Sequence, residues 1–307
     1  MVVSNLSAVA VHGILGADKE WNVPVGTFAT VGDNCIDRFL PPVGDCLVGG
    51  NAVNVAVQLA RLGCAVDYLG AVGADPGGEA VCTALEANGV GTGRVRRLPG
   101  EATARTDIET LPDGDRRFVF ESFGACDAYR PDAADLQFLA RKRHVHIGWM
   151  RGAVALRQTL RVAGVVVSQD LTVNNEPSEL DPAGLDIAFG SAMPQAGEAE
   201  SERFLALGAR LAVITLGAAG SLANDGRQLL RVDAVPTEVT DTTGAGDSFI
   251  AGFLGAHAKG LIIKECLLQG AALGAAACRH RGGFPQRPLQ PFVHDMRAGN
   301  ERPLEPD

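Results

Sequence analysis

The chain is poor in the features that would place it with nucleic-acid-binding, membrane-spanning or disulfide-stapled proteins. Lys and Arg number 27 against 36 Asp and Glu, giving a formal net charge of −9. That balance argues against nucleic acid or an anionic membrane as the main partner. It leaves room for a small anionic ligand, which local backbone amides can hold whatever the net charge. No apolar run is long enough to read as a transmembrane helix. The seven cysteines (Cys35, Cys46, Cys64, Cys82, Cys126, Cys266 and Cys278) are scattered, odd in number and without a C-x-x-C pair. Several fall in apolar periodic segments, where a thiol acts as a small hydrophobe; this fits a reducing cytoplasm better than a disulfide framework or a zinc site. The N-terminus has no basic start before its apolar part and does not read as a signal peptide. Two nucleotide fingerprints are also missing. The absence of G-x-x-x-x-G-K-[ST] excludes a P-loop enzyme, and the absence of G-x-G-x-x-G disfavours a dinucleotide dehydrogenase.

At 307 residues and 46% hydrophobic, the chain can bury a substantial core as one large α/β domain or two smaller ones. Residues 1–26 read as a leader of uncertain structure. The body opens on a buried strand at Thr27–Gly32. "NAVNVAVQLARLG" follows, with apolar residues at helical spacing and a stop at Gly63. Strand-like and helix-like segments then alternate through "AVDYLGAVG", "HVHIG", "VVVSQDL", "LDIAFGS" and "LAVITLG". This predicts a mostly parallel sheet covered on both faces, with ligands outside the carboxyl ends of its strands. Residues 101–122 are too polar for a central strand. They flank Pro112-Asp113-Gly114 and read as a hairpin leaving the main sheet in the manner of a lid. A second hairpin turns at Asn224-Asp225-Gly226, and two long helices are expected over 247–259 and about 264–279. The Pro-rich, charged end, 288–307, reads as a surface tail.

The segment "DTTGAGDSFIAGFL", Asp241–Leu254, carries the chemistry. Gly244-Ala245-Gly246 makes a tight turn before an apolar helix, so free N–H groups and the helix dipole there can attract an anion. Asp247 opens that helix. A carboxylate beside an anion site is repelled by it unless a hydroxyl with a transferable proton lies between them, the arrangement that phosphoryl transfer needs. The helix terminus is expected to keep Asp247 ionised and a weak base. Taken alone, the segment reads first as a glycine turn with an acidic helix cap.

The same segment resembles the second signature of the ribokinase-like (PfkB) carbohydrate kinases, and "VGGNAVNVAVQLARLG", Val48–Gly63, resembles the first. "VITLGAAGSLANDG" is similar to the family's nucleotide-binding strand and loop. The resemblance covers about residues 27–287. It implies a ribokinase-like three-layer α/β/α sandwich with a small β-sheet lid drawn from about 38–48 and 101–122. It also implies a possible homodimer through that lid. By resemblance Asp247 is the catalytic base, and Gly244, Ala245 and Gly246 form the anion hole. Asp37, at the end of the first strand, and Gly49, Gly50 and Asn54, at the start of the first helix, match sugar-binding positions, with Asp33 and Asn51 as additions. Arg105 is the hairpin arginine chosen to meet substrate, ahead of Arg116 and Arg117. Thr215, Gly217, Gly220 and Thr243 match nucleotide contacts. Asp241, Thr243, Ala277, His280 and Gly282 align with a monovalent-cation site, such as one for K⁺.

The implied cofactors are ATP and Mg²⁺. The segments "GDNCID", "GGNAVNVAV" and "DIAFGSAMPQ" are most similar to the branch that phosphorylates fructosamines, the fructoselysine 6-kinases, at the sugar 6-hydroxyl. Other acceptors stay open: a free ketose, ribose, a keto-deoxy acid or a nucleoside, the last weakened by only two Trp and two Tyr for stacking. A non-catalytic sugar-binding or regulatory protein is the reading from another class. One departure favours it and the intact Gly244–Asp247 set opposes it: Ser191 and Pro194 stand where the family has N-x-x-E near Mg²⁺, with Glu198 or Glu200 from the next turn, or ATP phosphates and water alone, as substitutes. The resemblance to fructoselysine kinases extends to this variation, which therefore reads as a subfamily feature and not as loss of activity. His144 and His146 lie two apart on one strand face, but with no third ligand apparent they read as packing rather than metal.

Overall fold

The computed structural model describes residues 27–110, 116–173 and 177–289. The first half comprises β1 (Thr27–Val31), β2 (Cys35–Phe39), β3 (Cys46–Gly49), α1 (Asn51–Arg61), β4 (Ala65–Gly73), α2 (Pro76–Ala87), β5 (Gly91–Leu98), β6 (Arg105–Thr110) and β7 (Arg116–Ser122). It continues through α3 (Ala125–Ala128), α4 (Ala133–Leu139), β8 (His144–Ile147), α5 (Ala153–Val162), β9 (Val166–Asp170), β10 (Ile187–Ser191) and α6 (Gly197–Ala206). The last part holds β11 (Ala212–Thr215), β12 (Ser221–Asn224), β13 (Leu229–Val232), α7 (Ala245–Ala258) and α8 (Ile263–Ala277).

The main sheet runs β13-β12-β11-β10-β9-β8-β1-β4-β5, parallel except at β12 and β13. Period-two alternation divides its side chains between two cores. Phe28, Tyr68, Phe189 and Val213 pack under α1, α2, α7 and α8. Ala29, Val31, Leu69, Ile147 and Ile214 face the other way, toward residues of α4, α5 and α6. The result is the expected three-layer sandwich. Its strand order reverses at β1, flanked by β8 and β4, and such a switch point opens a crevice at the carboxyl ends of the strands.

The second sheet, β3-β2-β6-β7, is separate. The polar hairpin of 101–122 therefore does leave the main sheet, although its turn lies outside the described residues. Asp37 is a correction to the sequence reading. It does not end the first strand but sits in the middle of β2, a strand of the small sheet, opposite Leu47 and Thr106. The Asn224–Gly226 turn is as expected, the Asn224 side chain accepting the Gly226 N–H at 2.9 Å. Leu289, just inside the expected tail, is still tied down, donating to the Cys46 carbonyl at 2.8 Å. The leader and the rest of the tail fall outside the described residues.

Close packing of α7 on α8 brings that layer over the sheet. A Cβ at Gly252 would stand 2.6 Å from the Gln269 carbonyl oxygen, whereas one at Gly255 would meet only the tip of Leu62 at 3.0 Å. Gly252→Ala is therefore expected to cost about 1–3 kcal/mol in urea unfolding, and Gly255→Ala clearly less. Equal stabilities for the two variants would contradict this packing.

Candidate active site

Five parallel strands end at one cleft of about 1020 Å³. Asp33 follows β1, Trp149 follows β8, and Asp170, Ser191 and Thr215 close β9, β10 and β11; all five line the cleft. Two helices start at it. Gly50 (φ 103°) precedes α1 and Gly244 (φ 72°) precedes α7, both in a left-handed conformation that favours glycine. The Gly244 turn is also pressed close: a Cβ there would lie 2.3 Å from the Gly283 Cα. A Cβ on Gly246 would meet nothing within 4 Å, so the start of α7 has open space beside it, although the Ala245 N–H is taken by the Thr242 carbonyl at 3.2 Å. Such an open helix start is the geometry an anion needs.

Asp247 sits at this junction. Its two carboxylate oxygens accept from the Asn51 and Asn54 side-chain amides, at 2.6 and 2.7 Å. Those asparagines are three apart on α1 and so share a face. The Asn51 amide also donates to Asp170, at 2.9 Å. Burial, reinforced by the charges of Asp170 and Asp33, lifts the Asp247 carboxyl to about 7, against the Asn54 and Asn51 bonds that pull it down. The expectation of an ionised, weak base is thus corrected. The helix terminus acts locally, but tertiary burial among other carboxylates outweighs it. A carboxyl near 7 is better matched to general-base work at neutral pH.

Asp33 accepts three backbone N–H groups, from Asn51 (2.7 Å), Ala52 (3.2 Å) and Trp149 (3.1 Å). It fastens the start of α1 to the end of β8, and burial raises its carboxyl above the usual range. Asp37 reaches the cleft over Gly49, where a Cβ would collide with its carboxylate at 2.1 Å. Gly49 is therefore the room Asp37 needs, while Gly50 and the two asparagines form the wall itself. Arg105 is not brought into the cleft. Its guanidinium lies 3.3 Å from Asp107 and stacks over Phe120, on the opposite side of β6 from Thr106, which does line the cleft. Arg117 pairs with Glu109.

At the other end of the cleft Thr215, Gly217, Gly220 and Thr243 lie together with Ala271, Gly274, Ala275 and Cys278 of α8 and its C-cap. Asp241 joins the two segments of the expected cation site. Its carboxylate accepts from the Thr243 N–H (3.0 Å) and hydroxyl (2.8 Å) and from the Gly282 N–H (2.9 Å). Ala277 is buried at the end of α8, and His280 makes a contact of 3.3 Å with the Arg281 carbonyl. Ser191 faces the cleft, but Glu198 is engaged by Arg231 (2.8 Å) and Glu200 by Arg203 (2.6 Å), so neither substitutes for the missing carboxylate. No group of three His, Cys, Asp or Glu suited to a metal exists among the described residues. His144 and His146 share the Ser168 hydroxyl, at 2.8 and 2.9 Å, and burial lowers both, His146 to about 3. They are packing within the sheet. Among the described residues, no helix is long and apolar enough to cross a membrane.

Sequence reading missed Asp170, Glu121, Phe123 and Trp149, all of which line the cleft. Asp170 and Trp149 had a signal in their place just at or after a parallel strand's carboxyl end. Glu121 and Phe123 had none, because only the pairing of β6 with β7 brings them there.

This cleft, with a carboxylate between an open helix start and a polar pocket, is that of a phosphotransferase, and comparison with known proteins agrees. The model of the "pfkB family carbohydrate kinase" matches residues 44–196 and 185–288. The chain belongs to this family and is a carbohydrate kinase. It is 37% identical over 265 residues to the fructoselysine 6-kinase of Shigella flexneri, covering 84% of this chain and 99% of the relative. It is 31% identical to the fructosamine kinase FrlD of Bacillus subtilis (strain 168), covering 83% and 91%. Among solved structures, Arabidopsis thaliana ribokinase complexed with ribose and ATP superposes with a TM-score of 0.76 at 24% identity, over 84% of this chain and 94% of that one.

The raised Asp247 carboxyl carries a sign for stability. Its value in the folded chain, about 7, lies above the ordinary 3.8, so the native state binds this proton more tightly than the unfolded chain. The contribution is complete below the unfolded value and is lost as pH rises through about 7. Asp247→Asn removes the disfavoured charge. The variant is expected to melt a few degrees higher than the parent at about pH 8, with the gap closing in mild acid. A lower melting temperature at the alkaline pH would count against a desolvated carboxylate.

Proposed function

We propose that the chain transfers the γ-phosphoryl group of Mg-ATP to the 6-hydroxyl of a fructosamine, a sugar joined to an amine. The observation that carries the proposal is the position of Asp247, a buried carboxyl lifted to about 7 beside the open start of α7 at Gly246. Asp247 accepts the proton of the sugar hydroxyl as its oxygen forms the new bond to phosphorus. The bond from phosphorus to the bridging oxygen breaks, and ADP leaves. The Gly246 N–H and the dipole of α7 stabilise the equatorial oxygens of the transferring group, with Gly244 and Ala245 shaping the turn. Thr215, Gly217, Gly220 and Thr243 hold the nucleotide, and Asp33, Asp37, Asn51 and Asn54 hold the sugar.

Mg²⁺ fits this site as an ion carried by the ATP phosphates and water, neutralising charge between them. Asp170, Ser191 and Thr215 line the wall with oxygens that would accept hydrogen bonds from water on such an ion, whose charge would help neutralise the phosphates. The loop fastened by Asp241 to Gly282 is the place proposed for a monovalent cation. The acceptor class is supported by the two relatives named for fructoselysine and fructosamine. It is also supported by the acidic character of the acceptor end, which suits an amine-bearing sugar better than a neutral ketose or a keto-deoxy acid.

Two experiments test this reading. A coupled ADP-release assay over fructosamines, free sugars and nucleosides should give the highest kcat/KM with a fructosamine. A higher value with any other acceptor class would overturn the substrate. Asp247→Asn should still bind sugar but lose at least about 10³-fold in kcat, since it removes both the base and the orienting charge. Near-normal turnover would sink its role.

A further inference from the structure

The cleft has an electrostatic character that phosphoryl transfer alone does not require. Asp33, Asp37, Glu121, Asp170 and Asp247 line it, and no Lys, Arg or His does so among the described residues. Four of these carboxylates are accounted for by donors. Asp33 takes three backbone N–H groups, Asp37 the Cys35 thiol at 2.9 Å, and Asp170 and Asp247 the asparagine amides. Glu121 is the exception. Its carboxylate is half-buried, faces the cleft and has no hydrogen-bond or ion-pair partner among the described residues.

Its position follows from the small sheet. Register places Asp37 opposite Thr106 and Thr106 opposite Glu121, so the three form one row across β2, β6 and β7 on the face toward the cleft. A bulge in β7, between the partners of Asp107 and Ile108, brings Phe118 onto that face as well, and both Phe118 and Phe123 line the cleft. Phe123 stacks on Trp149 with ring centroids 3.8 Å apart. Trp149, 2% exposed in the same wall, keeps its indole N–H without a hydrogen-bond partner. Asp247 is held against α1 by Asn51 and Asn54, whereas Glu121 sits on β7, the outer strand of the small sheet and two strands beyond Asp37, at the end of the acceptor pocket away from the base.

We infer that Glu121, backed by the Phe123–Trp149 stack, binds the protonated amine of the acceptor and so sets the preference for amine-linked sugars over neutral ones. The inference rests on the fructosamine reading above. A fructosamine carries its amine at C1 and its reacting hydroxyl at C6, at opposite ends of the sugar, as Glu121 and Asp247 are at opposite ends of the pocket. The ammonium supplies the one partner that the Glu121 carboxylate lacks, and aromatic faces beside it add attraction for a cation.

The test uses two probes, an N-alkyl fructosamine bearing the ammonium and free fructose, with the full-length chain and its Glu121→Gln and Glu121→Asp variants. Glu121→Gln is nearly isosteric and removes only the charge. Its KM for the fructosamine should rise about 10- to 100-fold with kcat little changed, and the preference over fructose should fall by the same factor. Glu121→Asp should recover part of it. Calorimetric binding of the fructosamine without ATP should weaken in parallel, and the ATP affinity of Glu121→Gln provides a check on folding. If the parent phosphorylates fructosamines and Glu121→Gln keeps the preference, this inference fails while the function stands. If the parent phosphorylates no fructosamine, it is the function that fails.

Discussion

Two asparagine amides on one face of α1 hold the Asp247 carboxylate, and the site depends on their being amides. A lysine or arginine in either place would hold Asp247 more strongly but fix its charge and drive its pKa down. Neutral donors orient the carboxylate while burial keeps its proton affinity high, at about 7. The same contacts join the starts of α1 and α7. Gln58, one turn further along α1, extends the link by donating to the Ser248 hydroxyl (3.1 Å) and the Gly283 carbonyl (2.8 Å). The acceptor wall and the anion hole are thereby one rigid unit. Misplacing reacting groups by even an ångström is costly in such chemistry, so this rigidity matters as much as the pKa.

The glycines serve that rigidity by allowing close approach. A Cβ on Gly283 would fall 2.2 Å from the Asn54 side chain, and one on Gly244 would strike Gly283. The loop after α8 can therefore lie directly against both helix starts. Asp241 fastens the same loop from the other side through Gly282. With no basic side chain in the wall among the described residues, attraction for phosphate falls to the start of α7 and to the ions that travel with the nucleotide. A protein with net charge −9 can bind a polyanion in this way because the forces are short-ranged and local.

Much of this was legible from the chain, for a physical reason. A glycine turn into an apolar helix and a period-3.6 segment after Gly49-Gly50 are local patterns, and local geometry dictates them. The alternation of strands and helices likewise implied a parallel sheet with its ligands at the strand ends. What could not be read depends on contacts distant in sequence. Asp37 was placed at the end of the first strand because nothing in "GDNCID" announces that the chain breaks after Val31 and restarts in another sheet. Arg105 looked like a substrate ligand, but β alternation turns it to Asp107 and Phe120 and presents Thr106 instead. The basicity of Asp247 was misjudged because helix position is local, whereas the burial that decides it is tertiary, and the charges that add to it, Asp170 and Asp33, lie more than seventy residues away.

The acidic lining and the raised Asp247 carboxyl belong to one electrostatic system. Burial raises the carboxyls of Asp33, Glu121, Asp170 and Asp247, and repulsion from neighbouring carboxylates adds to it at Glu121 and Asp247. A cation entering the acceptor end opposes that repulsion, since an opposite charge favours the ionised form of every carboxylate it faces. An ammonium-bearing sugar paired with Glu121 would relieve the repulsion that Glu121 shares with Asp33 and Asp37, and a neutral sugar of the same shape fills the pocket without that relief. On the proposed reading, discrimination between the two therefore acts on binding at the far end of the pocket, while Asp247 meets the same hydroxyl in either case.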